Sequence, residues 1–167
     1  EYNAKGAVNM SKQPAITLLI KPASGSCNLR CRYCFYADEM NLRSEPTRGF
    51  MNEETLEILV KKTLLQVSHA ATFAFQGGEP TLVGLDFYRH LIELEKKYNT
   101  NGITVHNSLQ TNGIMLNEEW AQFLHDNHFL VGLSLNVYEE MPDLNRKFPD
   151  GSGSCSRFLE TAQRPEG

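Results

Sequence analysis

No purely apolar run in this chain exceeds about five residues, so nothing approaches the ~20 consecutive apolar residues that a membrane-crossing helix requires. The opening residues, Glu1-Tyr2-Asn3-Ala4-Lys5, lack the apolar core of a signal peptide. There is no block of basic residues either, and the net charge of -4 argues against a nucleic-acid-binding surface. What remains, 41% hydrophobic and 22% charged over 167 residues, is the composition of a soluble globular protein with one modest core. A cytoplasmic, reducing location with no membrane or nucleic-acid partner is the expectation. Cysteine is scarce, with only four in the chain, and that makes their placement informative.

Three of the four fall within eight residues, as Cys27-Asn28-Leu29-Arg30-Cys31-Arg32-Tyr33-Cys34. Three thiolates on one short loop can hold three corners of an iron-sulfur cube and leave the fourth iron without a protein ligand, whereas electron-transfer cubes take four cysteines. An open iron is a place for chemistry. Other readings of the spacing stay open at this point. A closed zinc site needs a further ligand, and the nearest histidine, His69, is far along the chain. A redox pair of Cys31 and Cys34 leaves Cys27 unexplained. Disulfides between such close neighbours close small strained loops and leave one thiol over.

Along the chain, strand-type runs alternate with helical patterns. Ile16 to Ile20 reads as a strand, and Leu56, Leu59, Val60, Leu64 and Val67 mark one face of a helix. Asn52 before Glu53 and Glu54 is a helix start, with an Asn cap and acids in the first turn. Thr72 to Phe75 is a second strand. A helix with Phe87, Leu91, Leu94 and Tyr98 on one face follows, then a strand from Ile103 to Leu109. Asn117-Glu118-Glu119 opens a third helix with Trp120, Phe123 and Leu124 inward, and Phe129 to Leu135 is a fourth strand. This β-α-β-α-β-α-β order predicts an α/β fold of parallel strands joined by right-handed crossovers, either an open sheet or part of a barrel.

Both ends read differently from this patterned middle. Met10 is a candidate initiator, residues 1–15 an N-terminal extension, and residues 149–167 a divergent flexible tail with a short helical segment from Arg157 to Gln163. The chain reads as a fragment.

Polar and glycine-rich positions gather where the strands end. The first strand runs into the cysteine loop, the second into Gln76-Gly77-Gly78-Glu79-Pro80, the third into Gln110-Thr111-Asn112-Gly113 and the fourth into Ser134-Leu135-Asn136. Barrels and open sheets alike place their active sites at this end of parallel strands. The two glycines clear side chains from the backbone, and the proline holds the exit extended, so main-chain carbonyls there suit an ammonium group.

Cys-x3-Cys-x2-Cys after the first strand, Tyr33 before the last cysteine, and Gly-Gly-Glu-Pro after the second strand together resemble the radical S-adenosylmethionine superfamily. More closely, Ile20-Lys21-Pro22-Ala23-Ser24, Cys34-Phe35-Tyr36, the run from Phe73 to Leu82, and Asn107-Ser108-Leu109-Gln110-Thr111-Asn112-Gly113 are similar to the anaerobic sulfatase-maturating enzymes. The likeness runs from about Ile16 to Phe148, which makes residues 16–148 an incomplete radical SAM core, a partial (β/α)6 barrel with about its first four strands and their helices.

The resemblance implies that Cys27, Cys31 and Cys34 bind a [4Fe-4S] cluster whose open iron is chelated by S-adenosylmethionine. One electron then yields methionine and a 5'-deoxyadenosyl radical. It further implies that Tyr33, Gly78, Ser134 and Arg146 contact S-adenosylmethionine, and Arg146 carries a fork suited to its carboxylate. The family's substrate is a sulfatase polypeptide, in which an active-site Cys or Ser becomes Cα-formylglycine. Tyr36, Gln76 and Gln110, at the matching strand exits, are candidates for lining the peptide cavity. A donor such as ferredoxin or flavodoxin is the implied electron source.

Departures from the family pattern bound the transfer. Where the family reads Ser-Leu-Asp-Gly-Pro, this chain has Ser134-Leu135-Asn136-Val137-Tyr138. The family's C-terminal auxiliary-cluster domain, with its proposed acidic proton acceptor, lies outside this chain, so no catalytic residue is assigned here. Cys155 is a lone thiol, and His125 and His128 suit an exposed or capping role at a helix end. A maturase of another peptide, or a non-catalytic iron-sulfur or metal-binding fragment, remains the alternative.

Overall fold

The computed structural model describes residues 12–134 and 145–154. Strands β1 (Gln13–Ile20), β3 (Val67–Phe75), β4 (Thr104–Thr111) and β5 (Leu130–Leu133) form one sheet in the order β1-β3-β4-β5, with every neighbouring pair parallel. Helices α2 (Glu53–Gln66), α3 (Leu85–Tyr98) and α4 (Glu118–Asp126) make the three crossovers between them. The expected α/β alternation is present as the first part of a barrel wall.

Four elements lie outside the predicted pattern. Helix α1 (Phe35–Asn41) follows the last cysteine of the triplet, a 3-10 turn (Pro80–Val83) follows Glu79, and short β2 (Arg30–Cys31) pairs antiparallel with β6 (Arg146–Lys147). Each is seven residues or shorter, too brief for hydrophobic periodicity to register. Val67, read from its spacing as a helical face residue, instead ends α2 and begins β3, which starts five residues earlier than Thr72. Its N–H still bonds to Thr63 O, and its burial satisfies helix and strand patterns alike. The segment from Arg157 to Gln163 lies outside the described residues.

The helix starts follow local chemistry. Thr55 N–H donates to Asn52 Oδ1 at 2.8 Å and Trp120 N–H to Asn117 Oδ1 at 3.0 Å, so each Asn satisfies an amide that the first turn leaves open. Helix α4 ends as His128 turns to a φ of 53°, the left-handed conformation that terminates helices, and His125 lies exposed beside Asp126.

Strand alternation gives the sheet two faces of different character. Ile20, Ala71, Phe73, Phe75 and Leu109 point toward the helices, where they pack with Leu56, Val60, Leu64, Leu91, Trp120 and Leu124. Tyr88 sits at the centre of this layer with no exposure, edge-on to Phe75, Phe87, Trp120 and Phe129, and donates its hydroxyl to Pro80 O at 3.1 Å. On the other face the register brings together residues that are small or polar: Ala74 beside Ser108, and Gln110 beside Gly132.

One buried pair between α3 and β4 is only half satisfied. Glu95 Oε2 accepts from Asn107 Nδ2 at 3.1 Å, while Glu95 Oε1 and Asn107 Oδ1 have no hydrogen-bond partner among the described residues. A proton on Oε1 would supply the donor that Asn107 Oδ1 lacks, completing a two-bond acid–amide pair. Burial pushes the Glu95 carboxyl up to about 7, with the Asn107 bond and the charge of Lys96 opposing it. The folded chain therefore binds this proton more tightly than the unfolded chain, whose ordinary value is 4.5, and stability falls as pH rises from about 4.5 to about 7. Denaturant titrations across that range should show a loss of about 3 kcal/mol. Glu95→Gln, which keeps the pair without a titrating group, should flatten the slope.

Candidate active site at the strand exits

The cysteine loop leaves β1 through a tight passage. Ser24 holds a φ of 54°, and Ser24 N–H and Ser26 N–H bond back to Lys21 O and Ala23 O at 3.1 and 2.9 Å. The loop then docks on the exit of β3, where Glu79 N–H donates to Ser26 O at 2.8 Å. Gly78 lies against this junction with a φ of 59°, and a Cβ built on it would come within 2.3 Å of Ser26 O. Glycine at 78 is thus demanded by the loop packed over it. Gly77, with a φ of 105°, is covered by the stem of Lys21, whose ammonium sits 3.9 Å from the centre of the Tyr36 ring.

Glu79 is the anchor of the exit. Its carboxylate is 1% exposed, and Oε1 accepts from Thr81 N–H at 3.0 Å, Thr81 Oγ1 at 2.6 Å and Thr111 Oγ1 at 2.7 Å. Oε2 accepts from Asn112 N–H at 2.8 Å. A buried carboxylate is tolerated because neutral donors occupy both oxygens. Arg146, likewise buried at 3% exposure, donates Nη2 to Asn112 O at 2.9 Å and Nη1 to Ser134 O, and its guanidinium also bonds to Cys31. Asn112 is thereby fixed between a buried anion and a buried cation through its own backbone.

The three thiols are partly exposed and none is in a disulfide. Leu29 N–H donates to Cys27 Sγ at 3.4 Å and Asn112 Nδ2 at 3.8 Å, while Tyr33 and Arg146 hydrogen-bond to Cys31. Burial raises the Cys27 thiol above its ordinary value, against the Leu29 bond, and Glu79 adds to the rise. Burial also raises Cys31, with the charge of Arg146 opposing it. Among the described residues no three His, Cys, Asp or Glu side chains are grouped so as to hold a metal ion. A cube spreads its thiolates over separate corners, so its demand on the loop is for reduced, reachable sulfurs with donors facing them. Cys27 and Cys31 fit that demand with donors in place, and Cys34 fits it as a free, partly exposed thiol.

Of the other sequence candidates, Gln110 and Ser134 meet directly, Nε2 donating to Oγ at 3.1 Å, across the open Cα of Gly132. Gln76 is half-buried at the β3 exit, bonded through its N–H to Ile20 O at 2.9 Å. Tyr36 is half-buried on α1 under Lys21, and Tyr33 is exposed. Asn136, at the family's aspartate position, and Cys155 lie outside the described residues. Phe148 N–H bonds to Ser152 O at 2.9 Å, and buried Ser154 donates Oγ to Arg146 O at 3.0 Å, so the first residues of the expected tail fold back onto the site.

A parallel sheet whose exits carry a three-cysteine loop, a Gly-Gly-Glu-Pro turn and a buried arginine defines a class. The chain belongs to the radical SAM superfamily, whose family model matches residues 22–164. Within that class it is similar to the cysteine-type anaerobic sulfatase-maturating enzyme of Clostridium perfringens, at 47% identity over 150 residues, covering 90% of this chain and 40% of the relative. The serine-type enzyme of Bacteroides thetaiotaomicron is 35% identical over 144 residues, covering 86% and 34%. A solved structure of histidine-tagged anSMEcpe with bound AdoMet superposes at a TM-score of 0.83 with 46% identity, over 90% of this chain and 40% of that one. The native protein with bound AdoMet and the Kp18Cys peptide gives 0.82 at 47% identity, over the same shares of the two chains. The chain thus spans about 40% of the length of the cysteine-type relative.

Two substitutions test the exit. Gly78→Ala meets both the positive φ and the Ser26 carbonyl, so it should cost at least about 1–2 kcal/mol in thermal melts and lower iron uptake on reconstitution. Glu79→Ala strips the acceptor from buried Thr111 and Asn112 donors and should cost about 3 kcal/mol in denaturant titrations.

Proposed function

We propose that this chain carries the S-adenosylmethionine-cleaving core of an anaerobic sulfatase-maturating enzyme, acting on a sulfatase polypeptide to turn an active-site cysteine or serine into Cα-formylglycine. The observation that carries the reading is the three-thiol loop docked on the Gly-Gly-Glu-Pro exit, in a chain 47% identical over 150 residues to a cysteine-type enzyme of that name. Cysteine is the preferred target in this reading, since identity to the serine-type relative is lower, at 35%.

Cys27, Cys31 and Cys34 would hold the [4Fe-4S] cluster, and Tyr33, Gly78, Ser134 and Arg146 would contact S-adenosylmethionine. When bound, cluster and cofactor together supply a reductive cleavage and a hydrogen-abstracting carbon radical, fed by a donor of the ferredoxin or flavodoxin type. The chain's own residues position and shield. Arg146 brings a fixed positive charge to the loop, held by the Ser134 and Asn112 carbonyls, where a cofactor carboxylate would otherwise be costly to desolvate. Gln110 is oriented by Ser134 on the polar face of the sheet, and with Gln76 it offers amide groups to a peptide backbone. Tyr36, steadied by Lys21, gives that cavity an aromatic wall.

The full-length protein, reconstituted anaerobically with iron and sulfide and reduced with dithionite, should convert S-adenosylmethionine to 5'-deoxyadenosine. Absence of that product overturns the reading. With a sulfatase-derived peptide, mass spectrometry should find formylglycine in place of cysteine. Cofactor cleavage beside an unchanged peptide would point to a maturase of another substrate.

A further inference from the structure

The amide nitrogen of Asn112 points at a cysteine sulfur, and every other polar atom of the residue is committed to holding it there. Oδ1 accepts from Ile114 N–H at 3.0 Å, the backbone N–H is fixed on buried Glu79 at 2.8 Å, and the backbone carbonyl on Arg146 at 2.9 Å. Nδ2 is left to Asn28 Oδ1 at 2.7 Å and Cys27 Sγ at 3.8 Å. The amide has one workable orientation. Exchanging its O and N would set an oxygen against the Asn28 oxygen and the Cys27 sulfur, and an NH2 against the Ile114 N–H. The residue is 8% exposed, so water does not compete freely for these groups.

An aspartate would fill the same turn at Ile114 equally well, so the turn alone does not call for an amide. What the amide adds is an NH2 group, donated to Asn28 Oδ1 and toward the sulfur. Hydrogen bonds to cysteine sulfurs favour the more negatively charged, reduced state of an iron-sulfur centre, and outer hydrogen bonds tune such centres more generally.

We propose that Asn112 is a positioning residue that donates its side-chain N–H to the Cys27 sulfur and raises the reduction potential of the cluster that Cys27 helps to hold, easing the arrival of the electron on which the reaction depends. This inference rests on the cluster reading above. Asn28 Oδ1 accepts from the same NH2 group at the shorter distance and so competes for its orientation toward the sulfur.

The test is redox potentiometry of the reconstituted full-length protein, followed by the EPR signal of the reduced cluster, with iron content and far-UV circular dichroism measured alongside. Asn112→Ala removes the donor without adding charge and should shift the midpoint to a more negative value. Asn112→Asp keeps the Ile114 bond and should shift it further. Asn28→Ala, which leaves Cys27 as the remaining side-chain acceptor for the Asn112 N–H, should shift it the other way. A wild-type midpoint in Asn112→Ala at full iron content overturns the proposal, as does loss of iron from both Asn112 variants with the fold intact, which would make the residue an assembly element. Should Asn112→Ala unfold, the Asp and Asn28 variants decide, and unchanged midpoints in both overturn it. A wild-type protein that forms no reducible cluster overturns the cluster reading itself, and this inference with it.

Discussion

The strand exits depend on one buried carboxylate. Glu79 sits at the end of β3, yet its four acceptor bonds reach the 3-10 turn that follows it and the end of β4, while its own N–H holds the cysteine loop. Three separate segments are therefore positioned relative to one charge. A charge at 1% exposure survives only if its donors are in place, so the carboxylate rewards a single arrangement of its neighbours and penalises the rest. Apolar contacts of the same area would not discriminate in this way, because hydrophobic burial is non-directional.

The second buried charge, Arg146, works through the same residue from the other side. It comes from a distant part of the sequence, arrives on β6, and binds the backbone carbonyls of Asn112 and Ser134 as well as Cys31. Glu79 and Arg146 each bind the backbone of Asn112, whose side chain reaches Cys27. The buried charges are constrained because their hydrogen bonds converge on the same short segments.

Much of this was legible in the sequence, for physical reasons that differ by element. The three crossover helices announced themselves through apolar spacing, two of them also through Asn caps, and the strands through their bounded apolar runs. The triplet of cysteines singled out this loop because three thiols within eight residues are a rare concentration in a chain with four. The anchoring role of Glu79 was not legible. Read along the chain, an acidic residue in a glycine-rich exit looks solvated, and the donors that bury it, Thr111 and Asn112, come from another strand. Lys21 and Gly132 escaped for the same reason, since their contacts with Gly77, Tyr36 and Gln110 exist only once the sheet has formed. Glu95 was hidden by its helix pattern, in which one acid among charged neighbours resembles an exposed face.

The pairing of β2 with β6 has a consequence in time. Arg30 and Cys31 meet Lys147 and Arg146 only after the intervening sheet and its helices have been synthesised, and contacts so far apart in sequence form late because their loop must be closed first. A chain emerging from the ribosome therefore presents its thiols on an unclosed loop well before the strand that will cover them exists. That interval is when the sulfurs are reached most freely; in the folded chain they remain only partly exposed.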